Sequence, residues 1–425
     1  MEERKYKPRR VIAVAVISLL ITVFSLTGCG KERVESGPII LTYGTFYLDI
    51  EIEQWISEWN QSQEDYRIEI KEYEDSDVGR TQLNNEIVSG HAPDILDLSN
   101  INVANYISKG ILTDLYPFLD AEGEVSRDNL VSGILETYAQ DDKLYGIPLG
   151  YRFETLLGKT ELVGKASDWT TDKMIQMTKN LETDEYLLDG LAPLGLLRAV
   201  IATDMGSYVD WEKGECSFDG EKFRELLELA ASIDLTFMTQ QELDEKLADG
   251  SLLLNRVYIS SVSDYLSSIE QFGESEVSWV GFPSENGGKA VLYDRMPVGI
   301  TESCQNKEGA WQFVSSLLGE EFQRYHLKFV FPIRLNILKE SFQEAMKEQD
   351  PEMFQGGEPP RPATQEEIDA LFEGICSAQS NRVFDSNIWN IIAEDVEPYF
   401  ECRKTIEEVM GVIQNRVSIY VSENY

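Results

Sequence analysis

Between residues 39 and 110 the hydrophobic period of the chain switches repeatedly between two residues and three to four, and few folds accommodate that alternation. Ile39-Ile40-Leu41-Thr42 is a short apolar strand closed by Gly44. Ile52, Trp55, Ile56 and Trp59 then fall at i, i+3, i+4 and i+7, which is one face of a helix. Tyr66-Arg67-Ile68-Glu69-Ile70 alternates with period two, as a strand with one buried face does. Leu83 to Val88 reads as helix, Pro93 introduces the strand Asp94 to Leu98, and Val103 to Ser108 returns to helix before Gly110. Strands separated by helices at this spacing predict βαβ units and a parallel sheet. In such sheets ligands gather beyond the carboxyl ends of the strands. Here that edge is Tyr43 to Tyr47 and Ser99 to Asn102.

Further on, the pattern is less regular. Trp169-Thr170-Thr171 opens a helix expected to run through Leu181, with a threonine as N-cap. Phe223 to Ile233 and Ala310 to Leu318 carry apolar stripes, and Ser278 to Pro283 reads as a strand entering a turn at Asn286-Gly287-Gly288. After the loop Gly356 to Pro360 the chain is expected to be helical almost to its end. Thr364 and Glu367 form a capping-box pattern at the start of that region.

The N-terminus has a different logic. Glu2 and Glu3 are outnumbered by Arg4, Lys5, Lys7, Arg9 and Arg10, and an unbroken apolar-to-neutral run of 16 residues, Val11 to Leu26, follows. Such a helix is roughly 24 Å long, short of the ~30 Å hydrocarbon core, so the segment reads as a cleaved secretory signal. Leu26-Thr27-Gly28-Cys29 resembles a bacterial lipobox, in which the cysteine is diacylated and becomes the new N-terminus. Residues 1–28 are then the signal and 29–38 a tether, which predicts a protein lipid-anchored through Cys29 on the extracytoplasmic face of the cell membrane. The 397 residues that remain suffice for two or three domains.

Charge and composition exclude several function classes. The full chain carries −38, and loss of five basic and two acidic residues with the signal takes it to −41. Nucleic acid needs a basic face, and anionic lipid would repel such a surface, so attachment falls to the acyl chains. Cys29, Cys216, Cys304, Cys376 and Cys402 are widely spaced and form no CxxC. The last four are expected as free, mostly buried thiols, with two bridges as the alternative. His91 and His326 are isolated from each other and from every cysteine, which disfavours a transition-metal site or a histidine-dependent triad. No cofactor is expected. Glu72, Glu74, Asp75 and Asp77 look cation-like, but Val78-Gly79 breaks the calcium-loop spacing. There is no GxGxxG, no GxxxxGK[ST] and no GxSxG, and with 75 acidic residues no carboxylate pair stands out as a glycosidase dyad. The chain is not read as an enzyme.

Aromatic residues are the better lead: 7 Trp, 19 Tyr and 18 Phe, several at strand ends. Sugars present apolar CH faces ringed by hydroxyls, which aromatic plates and polar side chains together recognise. Tyr43, Thr45, Phe46 and Tyr47 follow one strand, and Asp97, Ser99 and Asn100 finish another. Trp55, Trp59, Trp279 and Trp311 sit in core patterns and are assigned to packing, as is Trp169 at its helix start.

Eight motifs in order resemble the family 1 extracellular solute-binding proteins of ABC importers, the group that includes maltose-binding protein. They are Gly90-His91-Ala92-Pro93-Asp94-Ile95, Gly110 to Leu115, Asp142 to Pro148, Asp168-Trp169-Thr170, Gly281-Phe282-Pro283, Asn306 to Trp311, Phe331 to Arg334, and Gln414 to Val417 with Tyr420 behind it. The chain departs from the family in its Asp189–Asp210 stretch and around Gln355–Arg361. The resemblance implies an α/β, two-lobe periplasmic-binding-protein-like fold of type II with a helical C-terminal region. Its lobes would be residues 39–148 plus 296–331 and residues 149–295 plus 332–425, with crossings near Pro148, Tyr293–Pro297 and Phe331–Arg334. It implies a cleft that receives Tyr43 to Phe46, Asp97 and Asn100 from the first lobe. From the second it implies Tyr151, Arg152 and Tyr258, and Trp389 either as a stacking plate or in packing. It also implies a monomer that hands a small-molecule ligand to ABC permease subunits. A neutral saccharide is the expected ligand, because the acidic chain disfavours an anionic one. A secreted lipoprotein glycosidase and a same-fold sensor for a membrane kinase are the rival readings.

Overall fold

The computed structural model describes residues 37–99, 101–211, 213–233, 237–348, 361–377, 379–380 and 385–424. Its first sheet is built as the alternating periods require. Strand β1 (Ile39–Thr45) pairs in parallel with β2 (Tyr66–Glu72) on one side and β3 (Ile95–Asp97) on the other. The helix Ile50–Ser62 between β1 and β2 buries Ile52, Trp55, Ile56 and Trp59, the four residues spaced for it. A fourth strand, Val298–Ile300, arrives from some 200 residues away and pairs antiparallel with β3. Nothing local in the sequence announces that strand, because three apolar residues carry no period.

The second sheet is centred on the ten-residue strand β4 (Gly150–Lys159). It pairs antiparallel with β5 (Leu252–Ile259) on one edge and β6 (Val291–Arg295) on the other. Phe331–Pro332 pairs with the start of β4 and Val277–Trp279 with its end. The chain passes between the sheets where β4 begins. There Ile147 bridges Val298, and the Leu149 amide donates to the Arg295 carbonyl at 3.0 Å. The Gln323 side chain donates to the Leu149 carbonyl at 3.0 Å, which draws the Phe331–Arg334 segment alongside.

Because side chains alternate along a strand, β4 serves two cores. Tyr151, Phe153 and Leu157 join the cluster that runs through the first sheet and the helices Val262–Glu270, Leu335–Ala345 and Gln365–Ser377. Leu156 faces the other way with Leu254 and Val291, against Pro193–Asp204, Glu221–Ser232 and the two terminal helices. The last of these, Ile406–Asn424, buries Val409, Ile413, Val417 and Val421 at a spacing of four. The result is the expected α/β class, two sheets flanked by helices.

Several local expectations meet their structures here. Thr170 caps the helix Thr171–Lys179, which ends two residues before Leu181. The Thr364 and Glu367 pattern is a capping box, with the Glu367 amide donating to Thr364 Oγ1 at 3.2 Å and the Thr364 amide to Glu367 Oε2 at 2.8 Å. Arg361 forks onto the same carboxylate, which holds it below its ordinary range. Trp169 is fully buried and Trp55, Trp59 and Trp311 nearly so, whereas Trp279 is half-buried against Phe153 and Tyr265. Cys216, Cys304, Cys376 and Cys402 are free, but only Cys304 is buried; Cys376 and Cys402 are exposed. Cys29 and Gln355 to Pro360 lie outside the described residues.

Candidate functional site

The parallel arrangement of β1 and β3 sets their carboxyl ends side by side. Thr45 Oγ1 donates to Asp97 Oδ2 at 2.7 Å, and the other Asp97 oxygen accepts from the Ser99 amide at 2.9 Å and hydroxyl at 2.6 Å. Asp97 is thus buried and held by hydroxyls and an amide. Tyr43 stands behind it in the core, edge-on to Phe313, and burial followed by the nearby Asp97 and Asp49 pushes its phenol up. Phe46 is also enclosed, between the Tyr73 ring at 5.6 Å and the Arg80 guanidinium at 5.6 Å. Neither ring is an open plate. The exposed aromatic at this edge is Tyr47, at 68 %. Asn100 lies outside the described residues.

The opening of β4 sorts the neighbouring pair Tyr151 and Arg152 onto opposite faces. Tyr151 is 0 % exposed, stacks on Phe331 with 5.7 Å between centroids, and its hydroxyl has no hydrogen-bond partner among the described residues. The expectation of Tyr151 as a stacking plate in the cleft therefore does not fit this packing: its ring belongs to the core. Arg152 is exposed on the other face. Glu154, two residues on, is on that same face with only 3 % of its side chain accessible.

Around Glu154 the antiparallel register assembles a connected polar and aromatic surface. Tyr258 lies directly opposite Glu154 on β5, and Tyr293 directly opposite Arg152 on β6. Arg256 Nε donates to Glu154 Oε1 at 2.5 Å, and the Tyr293 hydroxyl donates to Oε2 at 2.6 Å. Arg256 also donates to the Tyr258 hydroxyl and lies 5.1 Å from that ring. A carboxylate this buried is tolerable because both oxygens are engaged and one partner is cationic. Burial and the bond to Glu154 push the Tyr293 phenol far up, so it acts as a donor throughout the physiological range. Tyr258 remains 47 % exposed, an aromatic face available to a ligand.

This surface continues to the first sheet. Arg295, two residues beyond Tyr293 and on the same side of β6, pairs with Asp49 at 3.2 Å, in the loop just past Tyr47. Burial raises the Asp49 carboxyl although Arg295 opposes the shift. On the far side of β6 the Tyr138 hydroxyl donates to Asp294, a second tie between the two sheets. Trp389 stands in the helix Ser386–Phe400, half-buried against the second core.

Of the residues expected from sequence, the structure thus brings Arg152 and Tyr258 together on one open face. Thr45 and Asp97 are at the adjoining sheet edge, and Tyr43, Phe46 and Tyr151 are in the core. Glu154, Arg256, Tyr293, Arg295 and Asp49 were not anticipated. One signal did exist: Glu154 is the lone charged residue in the run Phe153 to Leu157, at an even spacing from Arg152. Among the described residues no group of three or more His, Cys, Asp or Glu side chains is arranged to hold a metal ion. Two open surface concavities, about 350 and 570 Å3, lie elsewhere, beside Tyr116 and Arg127 and beside Trp55 and Gln312.

The sequence model of the bacterial extracellular solute-binding proteins matches residues 54–355, well over half of the chain. The chain belongs to that family. It is a solute-binding protein, of a family that works outside the cytoplasm. Solved structures agree on the fold. The sugar-binding protein MalE from Xanthomonas citri is 13 % identical, with a TM-score of 0.60 over 91 % of this chain and 98 % of that one. A putative oligosaccharide-binding protein from a Synechococcus species is 17 % identical, with a TM-score of 0.59 over 91 % and 100 %. An ABC substrate-binding protein from Listeria monocytogenes, solved in complex with cycloalternan, is 16 % identical, with a TM-score of 0.55 over 90 % and 99 %. No curated protein matches the sequence. In the described residues of this solute-binding protein no helix is long and apolar enough to cross a membrane.

Proposed function

We propose that this protein captures a saccharide between two lobes and delivers it to the membrane subunits of an ABC importer. The lobes in this reading are residues 39–148 with 296–331 and residues 149–295 with 332–425. The observation that carries it is the run Asp49, Arg295, Tyr293, Glu154, Arg256 and Tyr258, bonded in succession except for Arg295 and Tyr293, which share one side of β6; it begins at the carboxyl edge of the first sheet and ends on an open aromatic face of the second. Tyrosine rings beside charged hydrogen-bonding groups suit a ligand with CH faces and hydroxyls. The sugar-binding MalE and the Listeria protein solved with cycloalternan support the same class. A ligand that touches both sides of this run stabilises whichever lobe arrangement offers both sets of contacts, and closure about the adjoining chain crossings is the mechanical consequence. The protein binds and releases without covalent chemistry in this scheme.

Two measurements test the reading. Small-angle scattering on the protein with saturating oligosaccharide, identified by thermal-shift screening, is expected to give a smaller radius of gyration than the free protein. An unchanged radius with a bound sugar would contradict closure. Attachment to the outer membrane surface is assigned to acylated Cys29, since two acyl chains anchor durably where one does not. Cys29→Ala is expected to leave the protein unprocessed or shed from membranes; processed protein still partitioning with membranes would remove Cys29 from that role.

A further inference from the structure

The charges on the open face do not cancel. Arg256 is answered by Glu154 and Arg295 by Asp49. Arg152 is exposed, its guanidinium lies 5.8 Å from the Tyr293 ring centroid, and among the described residues no carboxylate pairs with it. The nearest acid along its own face, Glu154, already has one oxygen on Arg256 and the other on Tyr293. In a chain with 75 acidic and 37 basic residues, a guanidinium without a carboxylate partner runs against composition. The expectation of a neutral sugar rests on whole-chain charge, whereas a ligand meets the local charge.

We infer that the bound saccharide is acidic, a uronic-acid-containing sugar whose carboxylate pairs with Arg152. This inference rests on the saccharide reading above and narrows it. The guanidinium fork presents two parallel N–H groups at the spacing of a carboxylate's oxygens, and it carries one positive charge to match one negative. Tyr293 and Tyr258 flank that position from the adjacent strands, so a pyranose carboxylated at one edge can lay its CH face on a ring while its acid group reaches Arg152. Asp97, held by two hydroxyls and the Ser99 amide, lies at the adjoining sheet edge, toward which the hydroxyl-bearing side of such a ligand extends.

Calorimetric titration of the soluble protein with two matched series tests this: tri-galacturonate, tri-glucuronate and tri-mannuronate, and the fully methyl-esterified form of each. At least one acid is expected to bind about 10- to 100-fold tighter than its ester. Arg152→Gln is expected to weaken that acid by the same factor and the ester by much less, with the thermal midpoint unchanged. Arg152→Lys, which keeps the charge but loses the fork, is expected to recover part of the loss. Rising salt is expected to weaken the acid alone. An ester or neutral sugar that binds as well as its acid, with no effect of Arg152→Gln, overturns the inference and leaves the saccharide reading standing. Failure of acids and of a neutral oligosaccharide panel alike overturns both.

Discussion

Tyr151→Ala is expected to destabilise the protein by about 3–5 kcal/mol, the loss typical of a large aromatic removed from a close-packed core. The ring is fully enclosed between Phe153 at 5.3 Å and Phe331 at 5.7 Å, and little around it is free to collapse into the space. Chemical denaturation measures the effect, with Arg152→Ala as the comparison expected within about 0.5 kcal/mol of the parent. Tyr151→Phe sharpens the point. The phenol hydroxyl is buried without a partner, so its removal is expected to be neutral or stabilising. Tyr151→Ala with unchanged stability but lost sugar binding would restore Tyr151 to the cleft and invert the assignment of the two faces of β4.

Glu154→Ala is the second large effect. The side chain is 3 % accessible and holds both Arg256 and Tyr293, so its loss leaves a cation and a phenol without their acceptor. Removing one partner of a buried pair costs about 3–5 kcal/mol. Arg256 is 26 % accessible and recovers part of its hydration, which brings the expectation to about 2–3 kcal/mol. The cycle formed with Arg256→Ala isolates the pair, and a coupling above about 1 kcal/mol is expected from the contact at 2.5 Å. A coupling near zero would mean that Glu154 is held by packing alone. Because Glu154 orients Tyr293 and, through Arg256, Tyr258, affinity for sugar is expected to fall with stability. Glu154→Gln, which keeps the shape and one acceptor, is expected to lose less of both.

Much of the scaffold was legible because its signals are local. Helix Ile50–Ser62 buries the four residues whose spacing named them, and the Thr364 and Glu367 box needs only four consecutive residues. The parallel pairing of β1 with β2 and β3 follows from connections too long for hairpins. The site was only half legible. Thr45, Asp97 and Tyr258 were expected from their place at strand ends and Arg152 from its place beyond the Gly-Ile-Pro segment, and the structure sets Arg152 and Tyr258 on one open face. Tyr43, Phe46 and Tyr151 were expected in the cleft as well and are nevertheless buried, because segments distant in sequence pack over their rings. Phe331 comes from 180 residues beyond Tyr151, and Phe313 from 270 beyond Tyr43.

Period two along β4 therefore separates Tyr151 from Arg152 without saying which of them meets solvent. That choice is made by which helices cover which face: Leu335–Ala345 and Gln365–Ser377 contribute to the core beneath Tyr151, while the helices over Leu156 leave Arg152 and Tyr258 open. The pairing of Glu154 with Arg256 and Tyr293, and of Asp49 with Arg295, depends on strand register across 102, 139 and 246 residues. The sequence by itself determined the α/β class, the amphipathic helices it named, two caps and the family, all of which rest on short-range periodicity and motif order. Only the tertiary structure decided which tyrosines are open and which are core, and that Arg152 on the open face meets no carboxylate among the described residues, because burial and ion pairing are properties of residues brought together from distant parts of the chain.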